Sequence, residues 1–269
     1  KEFLKPIVSV LPESYYGIPI PKDIFLTLFK DKEIEDAFVY IETVLKAFYK
    51  NGYAPVLVLD ELQVIGDLKV DDLLIYKLFN FFVRLTKELH VAHVFVITSD
   101  SLFIDRVYSE AVLHGRCRYL LVDDFDYGTT MAFLDKQGFS DDEKERAWAY
   151  CGGKPVCLVE AVTSETREKK IKEMLEIRIG QIKQRIGVLK IVSKRILFEE
   201  EEIAIRYEAI MEILDRFSTV ESYAFDVITP EITYLVKENM LFIDPVRCII
   251  KPQSRLDLLA IRAVIKHRA

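Results

Sequence analysis

Two adjacent carboxylates, Asp60 and Glu61, directly follow the apolar run Val56–Leu59. A short, valine-rich apolar run after a proline is typical of a buried parallel strand, and open α/β sheets bind ligands just past the carboxyl ends of such strands. There, in the Walker B arrangement, the first carboxylate can hold Mg²⁺ through water, and the second can polarise the water that attacks a γ-phosphate. The same residues also fit a strand that ends in an acidic turn or a helix N-terminus.

Polar side chains also end the next predicted strand, Val91–Thr98, where Ser99 and Asp100 follow. The carboxyl ends of neighbouring parallel strands lie at one edge of a sheet. We therefore expect Thr98, Ser99 or Asp100 to contact the γ-phosphate or to orient the attacking water. An ordinary polar strand end is the alternative for this segment.

Two further segments carry residues suited to a nucleotide. Arg116, in H-G-R-C-R before a predicted fourth strand, could stabilise charge on a transferring phosphoryl group, or could be a surface residue. The turn C-G-G-K-P at Cys151–Pro155 could bring backbone close to a nucleotide base, or could be a turn only. No Ser–His–Asp or Cys–His nucleophile arrangement is apparent.

The elements around these residues predict an α/β core with a parallel sheet covered on both faces. Its strands are separated by amphipathic helices at Asp31–Lys50 and Asp71–His90, and a short helix is expected at Asp23–Phe29. The predicted strands are Pro6–Leu11, Val56–Leu59, Val91–Thr98 and Arg118–Val122.

The second half of the chain is predicted to be largely helical. The long helix Lys169–Lys194 has an apolar seam that we expect to pack on the molecule's own core, not in a coiled-coil dimer. The acidic run Glu199–Glu202 is interpreted as a solvated start of the helix that ends at Phe217. Helices followed by a β-hairpin at 241–251 predict a winged helix. The expected domains are an α/β core at 1–125, a helical segment at 126–198 and the winged helix at 199–269.

Composition limits the function classes. The 269 residues carry a net charge of −6, which argues against general polyanion binding. The four cysteines have no metal-ligand spacing and are expected to be reduced, buried residues of a cytoplasmic protein. No apolar run reaches the length of a membrane span, so no membrane partner is predicted.

The chain resembles, over nearly its whole length, the archaeal ATPases of the signal-transduction branch of AAA-like P-loop NTPases. The resemblance rests on an ordered set of motifs: V-L-V-L-D-E-L-Q at 56–63, V-I-T-S-D-S at 96–101, L-H-G-R at 113–116, D-D-F-D-Y-G-T-T-M-A-F-L at 123–134 and C-G-G-K-P at 151–155.

This resemblance implies a three-layer P-loop NTPase core that binds ATP and Mg²⁺, a helical lid and a C-terminal winged helix. It makes Asp60 the Mg²⁺ carboxylate and Glu61 the catalytic base, and it places Pro155, next to Gly153, by the adenine. At Asp100 the sequence departs from the small residues that the family has there. Since an acid facing phosphate would be repulsive, we expect its side chain to point elsewhere.

The largest departure from the family pattern is the absence of a G-x-x-x-x-G-K-[ST] loop from the 269 residues. In the family this loop precedes the strand that matches Pro6–Leu11. We therefore expect either a chain that lacks its first tens of residues or a member that cannot hydrolyse ATP.

Three functions are compatible with these observations. The first is an ATP/ADP-dependent switch that contacts a protein partner through the lid or the winged helix. The second is a DNA-binding or origin-recognition-like regulator, and the third is a hydrolysis-dead scaffold. The candidate recognition helix Glu231–Asn239 carries Lys237 and two glutamates, so a protein contact is favoured over DNA reading.

Overall fold

The computed structural model describes residues 14–15, 18–19, 37–65, 69–70, 72–104, 115–198 and 201–267. The chain divides into two compact units, Lys1–Cys117 and Arg118–Ala269. The predicted strand Pro6–Leu11 and the predicted helix Asp23–Phe29 lie outside the described residues.

The first unit contains a parallel pair of strands next to two helices. Strand β3 pairs with β6, with Val56 opposite His93 and Leu59 opposite Val96. The elements in chain order are β1 (Ser14–Tyr15), β2 (Ile18–Pro19), α1 (Ala37–Lys50), β3 (Val56–Leu59), a 3-10 turn (Leu62–Ile65), β4 (Lys69–Val70), β5 (Asp72–Leu73), α2 (Leu74–Val83), a π-helical segment (Arg84–Glu88) and β6 (His93–Val96).

Apolar burial positions β3 and β6 on the helices. Leu57, Leu59 and Val94 pack against a core that includes Phe82 and Leu85. The opposite face of the pair is open, because the side chains of Val56, Val58 and Phe95 are each more than half exposed. The prediction of parallel strands is thus confirmed for β3 and β6, whereas the described residues cover one face of this pair and not two.

The second unit is mostly helical, with small antiparallel sheets. Strand β7 pairs with β8, and the second sheet has the order β10-β11-β9. The elements are α3 (Tyr127–Lys136), α4 (Asp141–Cys151), α5 (Pro155–Val162), α6 (Arg167–Val188), β7 (Arg195–Phe198), β8 (Glu201–Ala204), α7 (Tyr207–Asp215), a 3-10 turn (Arg216–Ser218), β9 (Tyr223–Ala224), α8 (Pro230–Lys237), β10 (Leu241–Asp244), β11 (Ile249–Pro252) and α9 (Arg255–Lys266).

The fourth predicted strand, Arg118–Val122, is not a strand in the structure. Two side chains of this apolar run, Leu120 and Val122, are largely exposed. The residues that follow it are held within the second unit, because Lys251 donates to Asp123 at 2.8 Å. A strand requires a neighbouring strand for its backbone groups, and none pairs with this segment among the described residues.

Of the acidic run that was predicted as a helix start, Glu201 and Glu202 belong to strand β8, whereas Glu199 and Glu200 lie outside the described residues. Ile196 of β7 lies opposite Ile203 of β8, and helix α7 begins only at Tyr207. Cross-strand packing of β-branched side chains stabilises such a pair, and this outweighs the preference of glutamate for helices. The hairpin β10–β11 agrees with its prediction, and the winged-helix assignment stays a prediction.

The seam of α6 packs within the second unit, as predicted. Ile171, Ile182 and Ile186 are buried, and α6 lies against α9. Arg178 on this helix donates to the buried carboxylate of Asp257 at 2.5 Å and to the carbonyl of Asn239 at 2.6 Å. Burial raises the pKa of Asp257 and outweighs the opposing effect of Arg178.

Cysteine burial differs from the prediction in two of four cases. Cys151 and Cys157 are buried, whereas Cys117 and Cys248 are exposed. None of the helices that the structure describes is long and apolar enough to cross a membrane.

Glu42 of α1 should make the first unit acid-sensitive. Arg84 and Lys46 hold the pKa of Glu42 at about 2, below its ordinary 4.5. Its ion pairs therefore stabilise the folded state above about pH 4.5 and are lost as the pH falls towards 2. We expect Glu42→Gln to lower the free energy of unfolding by about 1 kcal/mol at neutral pH, and to flatten its pH dependence in that window.

Urea unfolding at a series of pH values measures this effect. The control is Glu88→Gln, which removes only an exposed pair with Arg84. Equal acid sensitivity of wild type and Glu42→Gln would contradict the prediction.

Candidate functional site

The pairing of β3 with β6 brings their carboxyl ends together. The ladder continues beyond the strands, since Ile97 N donates to Leu59 O at 2.7 Å and Leu62 N donates to Ile97 O at 3.2 Å. The turn at Asp60 and Glu61 therefore lies beside Thr98 and Ser99. The structure brings together the two segments that the sequence predicted to be neighbours.

Both carboxylates are exposed at this edge. Glu61 has a positive φ of 54°, and its N–H donates to Asp60 Oδ1 at 2.9 Å. A left-handed backbone costs a non-glycine residue of order 1 kcal/mol, so local hydrogen bonds must hold it. Neither carboxylate pairs with a cation among the described residues. Exposed carboxylate oxygens at a strand end suit hydrated Mg²⁺, which is usually bound by one or two carboxylates together with phosphates.

Ser99 and Thr98 face Glu61 and Gln63. Ser99 Oγ donates to Glu61 Oε2 at 3.2 Å, and Thr98 Oγ1 donates to Gln63 Oε1 at 2.5 Å. Gln63 Nε2 in turn donates to Glu61 Oε2. One hydrogen-bonded group thus spans both strand ends, and its central member, Gln63, had no role in the sequence analysis. The sequence signal for it was its place at the end of the V-L-V-L-D-E-L-Q motif that the family resemblance rests on.

Asp100 points away from this group, as expected for an acid near phosphate. Its Oδ1 accepts from Leu102 N at 2.9 Å and from Phe103 N at 3.3 Å. It therefore caps the helical turn that begins at Ser101. Of the three candidates after β6, the structure leaves Thr98 and Ser99 beside the carboxylates.

Arg116 lies in an exposed turn, and none of the described ion pairs involves it. The structure does not bring it to the carboxylates through any described contact. A search of the described residues also finds no group of three or more His, Cys, Asp or Glu side chains that could hold a metal. A metal at Asp60 would therefore depend on water and phosphate for most of its ligands.

The C-G-G-K-P turn lies in the second unit, between α4 and α5. A Cβ on Gly153 would lie 1.8 Å from the carbonyl oxygen of Phe125, whose N–H donates to Gly153 O at 3.0 Å. Gly153 is therefore required by the chain's own packing. Pro155 is the first residue of α5 and is exposed.

Comparisons with known proteins agree with this architecture. An ATPase domain described as predominantly from Archaea matches residues 5–161. The C-terminal domain of uncharacterized ATP-binding proteins like MJ1010 matches residues 168–265. The Walker-type ATPase paby2304 of Pyrococcus abyssi superposes with a TM-score of 0.60 at 16% identity, over 97% of this chain and 78% of that chain.

Curated relatives extend the likeness along the whole chain. An uncharacterized ATP-binding protein of Pyrococcus abyssi is 44% identical over 266 residues, covering 98% of this chain and 74% of the relative. Another, from Methanocaldococcus jannaschii, is 41% identical over 276 residues, with the same two coverages.

The fold is thus the mixed α/β fold of a Walker-type ATPase. The chain belongs to the archaeal ATPase family, and its C-terminal part matches the MJ1010-like C-terminal domain.

The close contact at Gly153 gives a direct test of the turn. We expect Gly153→Ala to lower the free energy of unfolding by several kcal/mol, because the new methyl group would overlap the backbone of Phe125. Gly180→Ala is the control, since a Cβ there meets open space in the middle of α6. It should raise stability by about 0.5–1 kcal/mol. Chemical denaturation compares the two, and a tolerated Gly153→Ala would refute the packing argument.

Proposed function

We propose that this protein is an ATP-binding, Mg²⁺-dependent ATPase that acts as a nucleotide-dependent switch. The observation that carries the proposal is the hydrogen-bonded edge at which Glu61 faces Ser99 and Gln63, with Asp60 exposed beside it. Membership of the archaeal ATPase family, and similarity to relatives described as ATP-binding proteins, support ATP as the ligand.

Each residue at the edge has a proposed role. Asp60 would hold Mg²⁺ through water, and the bound metal would neutralise charge on the phosphates. Glu61 would orient and polarise the attacking water, which a carboxylate can do from hydrogen-bond distance. Thr98 would sense the γ-phosphate at the end of the neighbouring strand. The exposed guanidinium of Arg116 is available to a phosphate.

The assignment of Gly153 and Pro155 to the adenine rests on the family resemblance and stays a prediction. Pro155 is exposed, whereas Gly153 packs against the backbone of Phe125. The two residues are therefore separable by mutation, and Pro155→Ala is the informative change for nucleotide affinity.

The Glu61→Gln variant tests the proposed chemistry in the product of the intact gene. We expect it to bind Mg·ATP with nearly unchanged affinity and to lose turnover by about a hundredfold or more, because an amide cannot accept the proton. Asp60→Asn should instead raise the Mg²⁺ concentration needed for half-maximal turnover, because it removes a carboxylate that would hold the metal. Isothermal calorimetry measures binding, and phosphate release measures turnover. Unchanged turnover in Glu61→Gln would refute the assignment, and binding without turnover in wild type would favour the scaffold.

The burial of α8 argues against DNA reading by the C-terminal segment. Residues 231–236 of this helix are all buried, and its last turn is held by Arg185 and Lys194 through Glu238. A helix that reads DNA must present a free face to the major groove. Nothing comparable is exposed along α8.

DNA binding should accordingly be weak and sensitive to salt, or absent. Fluorescence anisotropy with a labelled duplex at about 0.15 M salt measures it. The variant Lys237→Ala, which removes the exposed cation of α8, should change the result little. Tight duplex binding at this salt concentration would favour the DNA-binding alternative.

A further inference from the structure

We propose that Gln63 is a positioning residue that holds the Glu61 carboxylate in place and connects it to Thr98. The inference deepens the proposed ATPase function and rests on it. It adds to the site a residue that would not touch the nucleotide but would set where the catalytic carboxylate lies.

The geometry places Gln63 between the two strand ends. Its Nε2 donates to Glu61 Oε2 and lies 3.4 Å from Ser99 Oγ. Its Oε1 accepts from Thr98 Oγ1 at 2.5 Å. A single amide side chain thus contacts Glu61 on one strand end and both Ser99 and Thr98 on the other.

The donor and acceptor in each of these hydrogen bonds can be assigned. An ionised carboxylate only accepts, so Gln63 must present its NH₂ group to Glu61. Its carbonyl then faces Thr98, which must donate its hydroxyl hydrogen. The N–H of Asp100 donates to Thr98 Oγ1 at 3.2 Å, which uses an acceptor position of that hydroxyl. Gln63 therefore accepts from Thr98 on one side and donates to Glu61 on the other.

The sheet holds Gln63 more firmly than it holds Glu61. Gln63 lies in the 3-10 turn that starts at Leu62, whose side chain is buried and whose N–H donates to Ile97 O. Glu61 is exposed and has a left-handed backbone. A long exposed side chain has several rotamers, and a fixed neighbour that donates to it selects one of them.

The same contacts imply a response to nucleotide. The hydroxyl hydrogen of Thr98 is given to Gln63, so it cannot at the same time be given to a phosphate oxygen. When Thr98 turns to a γ-phosphate, the Gln63 carbonyl loses its donor. The Glu61 position and the sensing hydroxyl are then coupled through one side chain.

Gln63→Met tests the inference, since it keeps the length of the side chain and removes its three hydrogen bonds, to Glu61, Ser99 and Thr98. In the product of the intact gene we expect kcat to fall about tenfold or more, with the Kd for Mg·ATP changed less than about threefold. In the Glu61→Gln background the same change should have no further effect on turnover, because Gln63 acts through Glu61. The control is Gln184→Met, at an exposed position of α6, which should leave kcat and Kd unchanged.

A second measurement uses the nucleotide-free protein. In a double-mutant cycle on the unfolding equilibrium, Gln63→Met combined with Thr98→Val should depart at least about threefold from the product of the single effects. Additive effects, or wild-type kcat in Gln63→Met, would overturn the inference. If Glu61→Gln also retained turnover, the proposed function itself would fail. A loss of turnover in Glu61→Gln with normal kcat in Gln63→Met would reject only the positioning role.

Discussion

The parallel register of β3 and β6 is the constraint on which the candidate site depends. Leu59 lies opposite Val96, so the first residues beyond each strand are neighbours. A slip of one residue would reverse the two faces of the strand, bringing Val56 and Val58 inward and Leu57 and Leu59 outward. The apolar core that packs against Leu57 and Leu59 therefore specifies the register. The register in turn fixes which residues of the candidate site are neighbours.

The helices that form this core are tied by charge at their outer edge. The π-helical segment adds a residue to the helical turn after α2, and it places Leu85 in the core with Arg84 beside Glu42 of α1. Such segments are rare and place side chains that a regular helix would rotate away. Within this π-helical segment, Leu85 thus packs in the core beneath β3 and β6, while Arg84 connects the segment to α1.

The sequence predicted those features that depend on local pattern. Carboxylates after β3, polar residues after β6 and the seam of α6 follow from strand and helix periodicity, and each is found in place. The role of Gln63 and the need for glycine at 153 depend on contacts between residues distant in sequence, which periodicity does not report. The strand prediction for Arg118–Val122 was wrong for a related reason: an apolar run forms a strand only when another strand is available to pair with it.

Charge in the second unit shows why composition along a segment can mislead. Residues 177–198 contain six lysines and arginines and no acid, a pattern that by itself favours a polyanion site. In the structure, Arg178 pairs with Asp257, while Arg185 and Lys194 pair with Glu238. These cations are used to join α6 to α8 and α9. Because these three cations pair with carboxylates of the same unit, the number of cations along this segment does not by itself indicate a nucleic-acid site.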